Sequence, residues 1–249
     1  MLTSLGPTLM LRFLPLPENV IVLPELGPAL RRSLEQEVEE IWQAERACRG
    51  SALFNGPLFS VEEITPHAVA GRFVEFRRYL AQERRPELFT ELRIQPLAVT
   101  GLLQNAEGLF FGYRSSAVAL QPDCWELIPS GGVDRTTLTE TGQIYPAGHV
   151  LTELQEEVGL NAAAVAPPRL LCFSEDLDHH IFALTWELKT HLDRTAILHA
   201  HAALPHPEHA EITFVRWADL VGFLAQGPDV VALSSRDLLE HFFLQKDRL

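Results

Sequence analysis

The chain has 249 residues and carries 20 Lys and Arg against 33 Asp and Glu, a formal net charge of −13. That balance, with no Lys/Arg run to neutralise backbone phosphates, speaks against a nucleic-acid groove. Cys48, Cys124 and Cys172 lack the paired spacing of a disulfide framework or a zinc knuckle, so a reducing, cytoplasmic setting is expected, and the length allows a substantial core plus a second module.

Residues 1–16 are apolar but broken by Pro7, Arg12 and Pro15, with no positive segment ahead of them. Neither a signal peptide nor a membrane span is expected. Residues 19–23 read as a strand, and Leu30, Leu34, Val38 and Ile41 recur at about helical spacing, predicting a long helix over 29–49. The turn Leu53-Phe54-Asn55-Gly56-Pro57-Leu58-Phe59, begun by Ser51-Ala52, leads through a strand pair to the helical run Phe76-Arg77-Arg78-Tyr79. Residues 97–103 and 109–114 read as a hairpin closed by the polar turn Gln104-Asn105-Ala106-Glu107-Gly108. Trp125-Glu126-Leu127-Ile128-Pro129-Ser130-Gly131-Gly132 follows.

Residues 146–158 predict a helix, with Pro146 in its first turn and Gly159 as a left-handed stop. Glu153, Glu156 and Glu157 fall at i, i+3 and i+4, which sets neighbouring Cβ atoms about 5–6 Å apart on one face. Val150, Leu151, Leu154 and Val158 form the opposite, apolar stripe. Burying that stripe aims three like charges at one spot, where they repel unless cations lie among them. Hard oxygen ligands favour Mg²⁺ or Mn²⁺. An ordinary solvated face is the expectation for Glu37, Glu39 and Glu40.

Residues 170–173 and 181–188 read as further strands. His179 and His180, beside Asp176 and Asp178, would point to opposite sides of a strand, so a structural or surface role is expected. His199, His201, His206 and His209 are expected in an Ala/Pro-rich loop, either as a flexible cover that gates the substrate or as a ligand set. Residues 211–220 suit a strand running into a helix. Ser234-Ser235-Arg236-Asp237 reads as a helix N-cap ahead of the packing stripe Leu238, Leu239, Phe242 and Phe243.

Gly131-Gly132-Val133, followed by Thr152-Glu153-Leu154-Gln155-Glu156-Glu157-Val158-Gly159-Leu160, resembles the Nudix box: Gly, five residues, Glu, seven residues, Arg-Glu-aliphatic-any-Glu-Glu-any-Gly-aliphatic. The Trp125–Gly132 run, Arg114 and the 211–220 segment are also similar to Nudix features, so the resemblance covers residues 93–249. It implies an α+β fold, a mixed sheet sandwiched between helices, preceded by a smaller α/β module over 1–92 that shapes substrate choice. The activity implied is metal-dependent hydrolysis of a nucleoside diphosphate linked to another moiety. Glu153, Glu156, Glu157 and the Gly132 carbonyl would hold Mg²⁺ or Mn²⁺. Glu153, Glu156 and Glu211 would serve catalysis, with Glu175 a further candidate base, and Arg114 and Gly131 would meet substrate. Trp42, residues 53–59 and residues 76–79 resemble the N-terminal region of the UDP-sugar diphosphatase branch, which makes UDP-glucose or UDP-galactose the lead substrate. The partner expected is that small molecule, with no nucleic acid and no membrane; a homodimer, frequent in the superfamily, stays open.

Two departures bear on activity. Thr152 stands where the box has Arg, and Leu138 where it has its first Glu, with Glu140 two positions further along a stretched 134–148 segment. Arg135 is the cation considered for the missing Arg, and Gly142 and Gly148 would let an insertion keep the geometry. The alternative is a Nudix module that binds a nucleotide or a protein without cleaving anything.

Overall fold

The computed structural model describes residues 11–23, 30–50, 53–116, 118, 120–227 and 229–244; residues 1–10 of the apolar opening, residue 29, and Ser51-Ala52 lie outside them. The fold is α+β, as the resemblance implies. Strands β1 (Leu11–Leu14) and β2 (Asn19–Val22) precede helix α1 (Arg32–Arg49), the hairpin β3 (Pro57–Ile64) and β4 (Ala68–Glu75), and helices α2 (Phe76–Arg84) and α3 (Phe89–Leu92). Then come β5 (Leu97–Gln104), β6 (Gly108–Tyr113), β7 (Trp125–Leu127), β8 (Ser130–Gly132), β9 (Gln143–Ile144) and α4 (Pro146–Glu153). The chain continues through β10 (Arg169–Asp176), β11 (Ile181–Lys189), α5 (Arg194–Ala202), β12 (Glu211–Arg216), α6 (Leu220–Leu224) and α7 (Leu233–Leu239). No described helix is long and apolar enough to cross a membrane.

The larger sheet runs β1-β10-β11-β5-β6-β12, with β7 on β6 and β8 on β5; the smaller runs β3-β4-β2-β9. β5 and β11 are parallel over Leu97–Gln104, whereas β5 and β6 pair only at Gln104 and Leu109. Beyond that point the hairpin splays and β7 and β8 fill the gap. Gly101 is required there: its N–H donates to the Pro129 carbonyl at 2.6 Å, and an added Cβ would strike the Pro129 ring. The hairpin turn is closed by Asn105 Oδ1, which accepts from the Glu107 and Gly108 N–H groups.

Alternation along the strands builds two cores. Leu97, Val99 and Leu103 of β5 face one core with Phe182, Leu184 and Leu188 of β11, covered by the smaller sheet and by Val150, Leu154 and Val158. Leu102, Leu109 and Phe111 face the other, covered by Leu220, Leu224, Leu238 and Leu239. Each such buried side chain contributes about 1.5–3 kcal/mol. Helix α1 buries Leu34, Val38 and Trp42 at a spacing of four and packs on α2. Arg77 bonds Glu35 and Glu39 of α1, and Asn55 Oδ1 accepts from Arg77 N at the start of α2, so the Leu53–Phe59 run docks the turn onto that helix.

Two expectations need correction. His199 and His201 lie on α5, not in a loop. Asp193 starts this helix by accepting from the Ala196 N–H, and the Pro-rich cluster at 205–207 comes after it. Ser234 and Ser235 do not cap α7 from outside; the helix already begins at Leu233, and Ser235 Oγ accepts from the Leu127 N–H, buried. Asp237 likewise accepts from the Leu11 N–H, so α7 is fastened to β1 and β7 by polar groups that sequence suggested were caps.

Candidate active site

The site forms where α4 crosses β8. Pro146 opens α4, as expected, and beyond Glu153 the helix widens into a single π turn over Leu154–Val158. Gly159 ends it at φ 79°, its N–H bonded to Gln155 O and that of Leu160 to Leu154 O, the left-handed stop that glycine makes without strain. The Val150, Leu154 and Val158 stripe is fully buried, which turns the opposite side of the helix toward β8.

On that side His149, Glu153 and Glu157 follow at intervals of four and meet the three residues of β8 in reverse order. Glu157 Oε2 accepts the Ser130 N–H at 3.0 Å. Glu153 lies against Gly131, where any Cβ would collide with its carboxylate. His149 Nε2 reaches the Gly132 carbonyl at 3.0 Å and Glu153 Oε1 at 3.2 Å. Glu156 stands beside this row and is exposed.

The two inward carboxylates are electrostatically uncomfortable. Burial, then the charges of Glu156, Glu208 and Asp134, push the Glu153 carboxyl up to about 8. Burial, then Glu126, Glu208 and Glu153, raise Glu157 well above the carboxylate range, against the opposing Ser130 N–H. Glu157 is 1% exposed and its Oε1 has no hydrogen-bond partner. Buried acceptors without partners are uncommon and ask for a ligand or a proton. Hard carboxylate oxygens, an orphan among them, fit a divalent cation. Among the described residues, no three His, Cys, Asp or Glu side chains are grouped so that they could hold a metal ion in the positions seen.

Beneath Glu157 runs a buried polar chain. Arg114 Nη1 bonds Glu126 Oε1 at 2.6 Å, His209 Nε2 bonds the same oxygen at 2.8 Å, and His209 Nδ1 lies 3.8 Å from Glu157 Oε2. Burial works against the Arg114 charge, but Glu126 outweighs it and raises the guanidinium further. Arg114 also donates to the Leu120 and Gln121 carbonyls, so much of its bonding capacity holds residues 120 and 121. His209, expected in a flexible cover, is buried against Gly112, where a side chain would strike its ring.

A cavity of about 610 Å³ opens onto this wall. Gly131, Gly132, Arg114 and Glu208 line one side; Phe54, Phe76 and Tyr79, from the first ninety residues, line the other. Phe54 is 78% exposed at its edge. Glu208 is the loop carboxylate whose charge reaches Glu153, Glu157 and Arg114. Glu211, three residues later, is exposed at the first position of β12 opposite Tyr113. Glu175 is bonded to Arg12 on β1, while its neighbours Ser174 and Asp176 face a smaller inner cavity beside Arg114, as alternation requires.

The stretched segment folds as a small excursion. Leu138 bridges Ile144, Gly142 takes φ 76°, and β9 joins β2, leaving Glu140 exposed. Leu138 and Thr152, which occupy the two departing box positions, line one hollow of about 230 Å³. Thr152 Oγ1 donates back to the Gly148 carbonyl, and Arg135 sits over the Phe73 ring at 5.2 Å. The polar group in contact with Glu153 is His149.

No family model and no curated protein matches the chain. Among solved structures, a Deinococcus radiodurans protein is similar over 75% of this chain and 99% of its own, at 17% identity and a TM-score of 0.49. A Chromobacterium violaceum protein provisionally placed in the nudix hydrolase family is similar over 62% of this chain and 81% of its own, at 14% identity and a TM-score of 0.38. A bifunctional NMN adenylyltransferase/ADP ribose pyrophosphatase from Francisella tularensis, complexed with AMP and a Mn ion, is similar over 67% of this chain and 46% of its own, at 13% identity and a TM-score of 0.46. At these scores the likeness assigns neither activity nor substrate, which rest on the residues of the cleft.

Proposed function

We propose that this protein is a Nudix-type pyrophosphatase that hydrolyses a nucleoside diphosphate linked to another moiety, with a UDP-sugar as lead substrate and UMP and a sugar 1-phosphate as products. The observation that carries the reading is the pair of mutually repelling carboxylates, half-buried Glu153 and buried Glu157, set against the Ser130-Gly131-Gly132 strand in the wall of a 610 Å³ cleft. Structural acids of this kind are normally paired with a cation or hydrogen-bonded throughout.

Glu153 and Glu157, with Glu156 at the rim and the Gly132 carbonyl, would hold Mg²⁺ or Mn²⁺, which when bound supplies charge neutralisation at the diphosphate and lowers the pKa of coordinated water. The chain's own residues do the remainder. Gly131 presents backbone without a side chain, which lets a diphosphate approach the carboxylates. Glu208, on the same side of the cleft as Gly131 and Gly132, is our candidate to take the proton of the attacking water while the bridging P–O bond breaks and the leaving phosphate departs with the bond's electrons. Glu211, the base expected from the sequence, lies three residues further on at the start of β12 and remains the second candidate. Arg114 lines the cleft; Phe54 and Phe76, backed by buried Tyr79, offer apolar and aromatic surface for the nucleoside or its substituent.

The test is phosphate-product release from a panel of UDP-sugars, ADP-ribose and coenzyme A with Mg²⁺ or Mn²⁺, beside Glu157→Gln. Turnover of one substrate class, lowered at least about a hundredfold in the variant, is the expected result. A panel flat for every substrate and both metals would instead favour a module that binds without cleaving.

A further inference from the structure

Resting on that reading, we infer that His149 is the positioning residue that holds the cation ligands, filling the place left by Thr152. The contact is direct: His149 Nε2 is 3.2 Å from Glu153 Oε1 and 3.0 Å from the Gly132 carbonyl oxygen. The carbonyl can only accept, so Nε2 carries the hydrogen and donates it to Gly132 O, with the Glu153 carboxylate within 3.2 Å of the same nitrogen. The imidazole thereby ties the strand carbonyl to the helix beside its carboxylate, the two groups that would hold the cation. The ring is 6% exposed and cannot swing away to solvent.

Neighbouring groups leave this role to His149. Thr152 is exposed and turns its hydroxyl back to Gly148 O. Leu138 offers no charge, and Arg135 is placed over Phe73. Facing the imidazole from the elements packed on it are Glu153 and Glu156 of its own helix region, Asp134 from the turn after β8, and the Gly132 carbonyl. All of these are acceptors, so a donor at this point satisfies the surroundings whichever of them binds the ion. Outer partners of metal-binding groups fix the rotamer of the ligand, and their loss commonly costs 10–100-fold in metal affinity.

The test uses the full chain and reads Mn²⁺ binding by electron paramagnetic resonance together with the kcat and KM of the best substrate. His149→Gln keeps an N–H at about the reach of Nε2; His149→Asn carries its amide at the shorter reach of Nδ1; His149→Phe keeps a ring and has no donor. We expect Mn²⁺ affinity to fall about tenfold or more in the Phe and Asn variants and to stay within about threefold in Gln, with kcat following affinity. Equal Mn²⁺ affinity in all four proteins would overturn the role of His149 and leave the pyrophosphatase reading standing. So would equal weakening in Gln and Phe. If the native chain binds no Mn²⁺, the pyrophosphatase reading fails first and this inference with it. Should Phe not fold, the Gln against Asn comparison decides alone.

Discussion

At Gly131 the missing side chain is what allows a carboxylate to lie flat against a strand. The neighbour an added methyl would meet is the tip of Glu153, a flexible side chain, rather than backbone. Gly131→Ala should therefore fold with little change in thermal stability while displacing Glu153 from its place beside Gly132, lowering Mn²⁺ affinity about tenfold or more. Calorimetric titration of the variant checks this, and an affinity equal to that of the native chain would show that Glu153 binds no ion. The glycines and glutamates of this site were legible because their spacing is local: Glu153 and Glu157 share a helical face, and Gly159 stops the helix as read. Glu208 and His149 were not read, and His209 was read only as one of four loop histidines, for different physical reasons. His149 sits four residues before Glu153, a spacing open to inspection, but its meaning depends on β8 lying opposite. His209 and Glu208 reach the site only through the path of the chain between α5 and β12, which no periodicity encodes.

Elements are tied together across the cleft by a second histidine. His179, in the turn between β10 and β11, is 2.7 Å from Glu83 Oε2 on α2, and the Tyr79 hydroxyl donates to its carbonyl. The hydrogen bond that His179 donates to Glu83 raises the imidazole above its ordinary value of 6.5, against the effect of burial. A raised folded-state value means that the folded chain holds this proton more tightly than the unfolded one, so the stabilisation is fully present below about pH 6.5 and is lost as pH rises through the elevated value. The thermal stability of the native chain relative to Glu83→Gln should accordingly shrink between about pH 6.5 and the alkaline side of neutrality. A difference that is flat over this range, or that grows, would remove the ion pair from the account. Strands β5, β6, β10, β11 and β12 and helices α1 and α4 follow the sequence reading because each is long enough to show a period or an apolar run, and β2 follows it through its β-branched Val20, Ile21 and Val22. β1 and β9 escaped it: four and two residues give no period to read, and both are strands only because a neighbour's edge is there to receive them.

The molecule as a whole carries an excess of acid that it has partly concentrated at one place. A cation that binds the folded chain and not the unfolded one stabilises it by mass action, by about 2.7 kcal/mol at a hundredfold excess over Kd. For a chain of this size that corresponds to a rise of roughly 5–10 °C in Tm. Differential scanning calorimetry with Mn²⁺ or Mg²⁺ should show such a rise, absent in a Glu153→Gln, Glu157→Gln double variant; an equal rise in both proteins would locate the ion elsewhere.

The placement of β1 has a consequence for how the chain can be cut. Leu11–Leu14 pairs antiparallel with Phe173–Asp176 at the outer margin of the larger sheet, fastened there by Asp237. Any fragment starting after residue 92 would lose that strand and leave the N–H and C=O groups of β10 bare, a template for pairing with another molecule. The opening residues of the described chain thus act as a seal: trimming them is expected to yield an insoluble, self-associating product before it yields an inactive one.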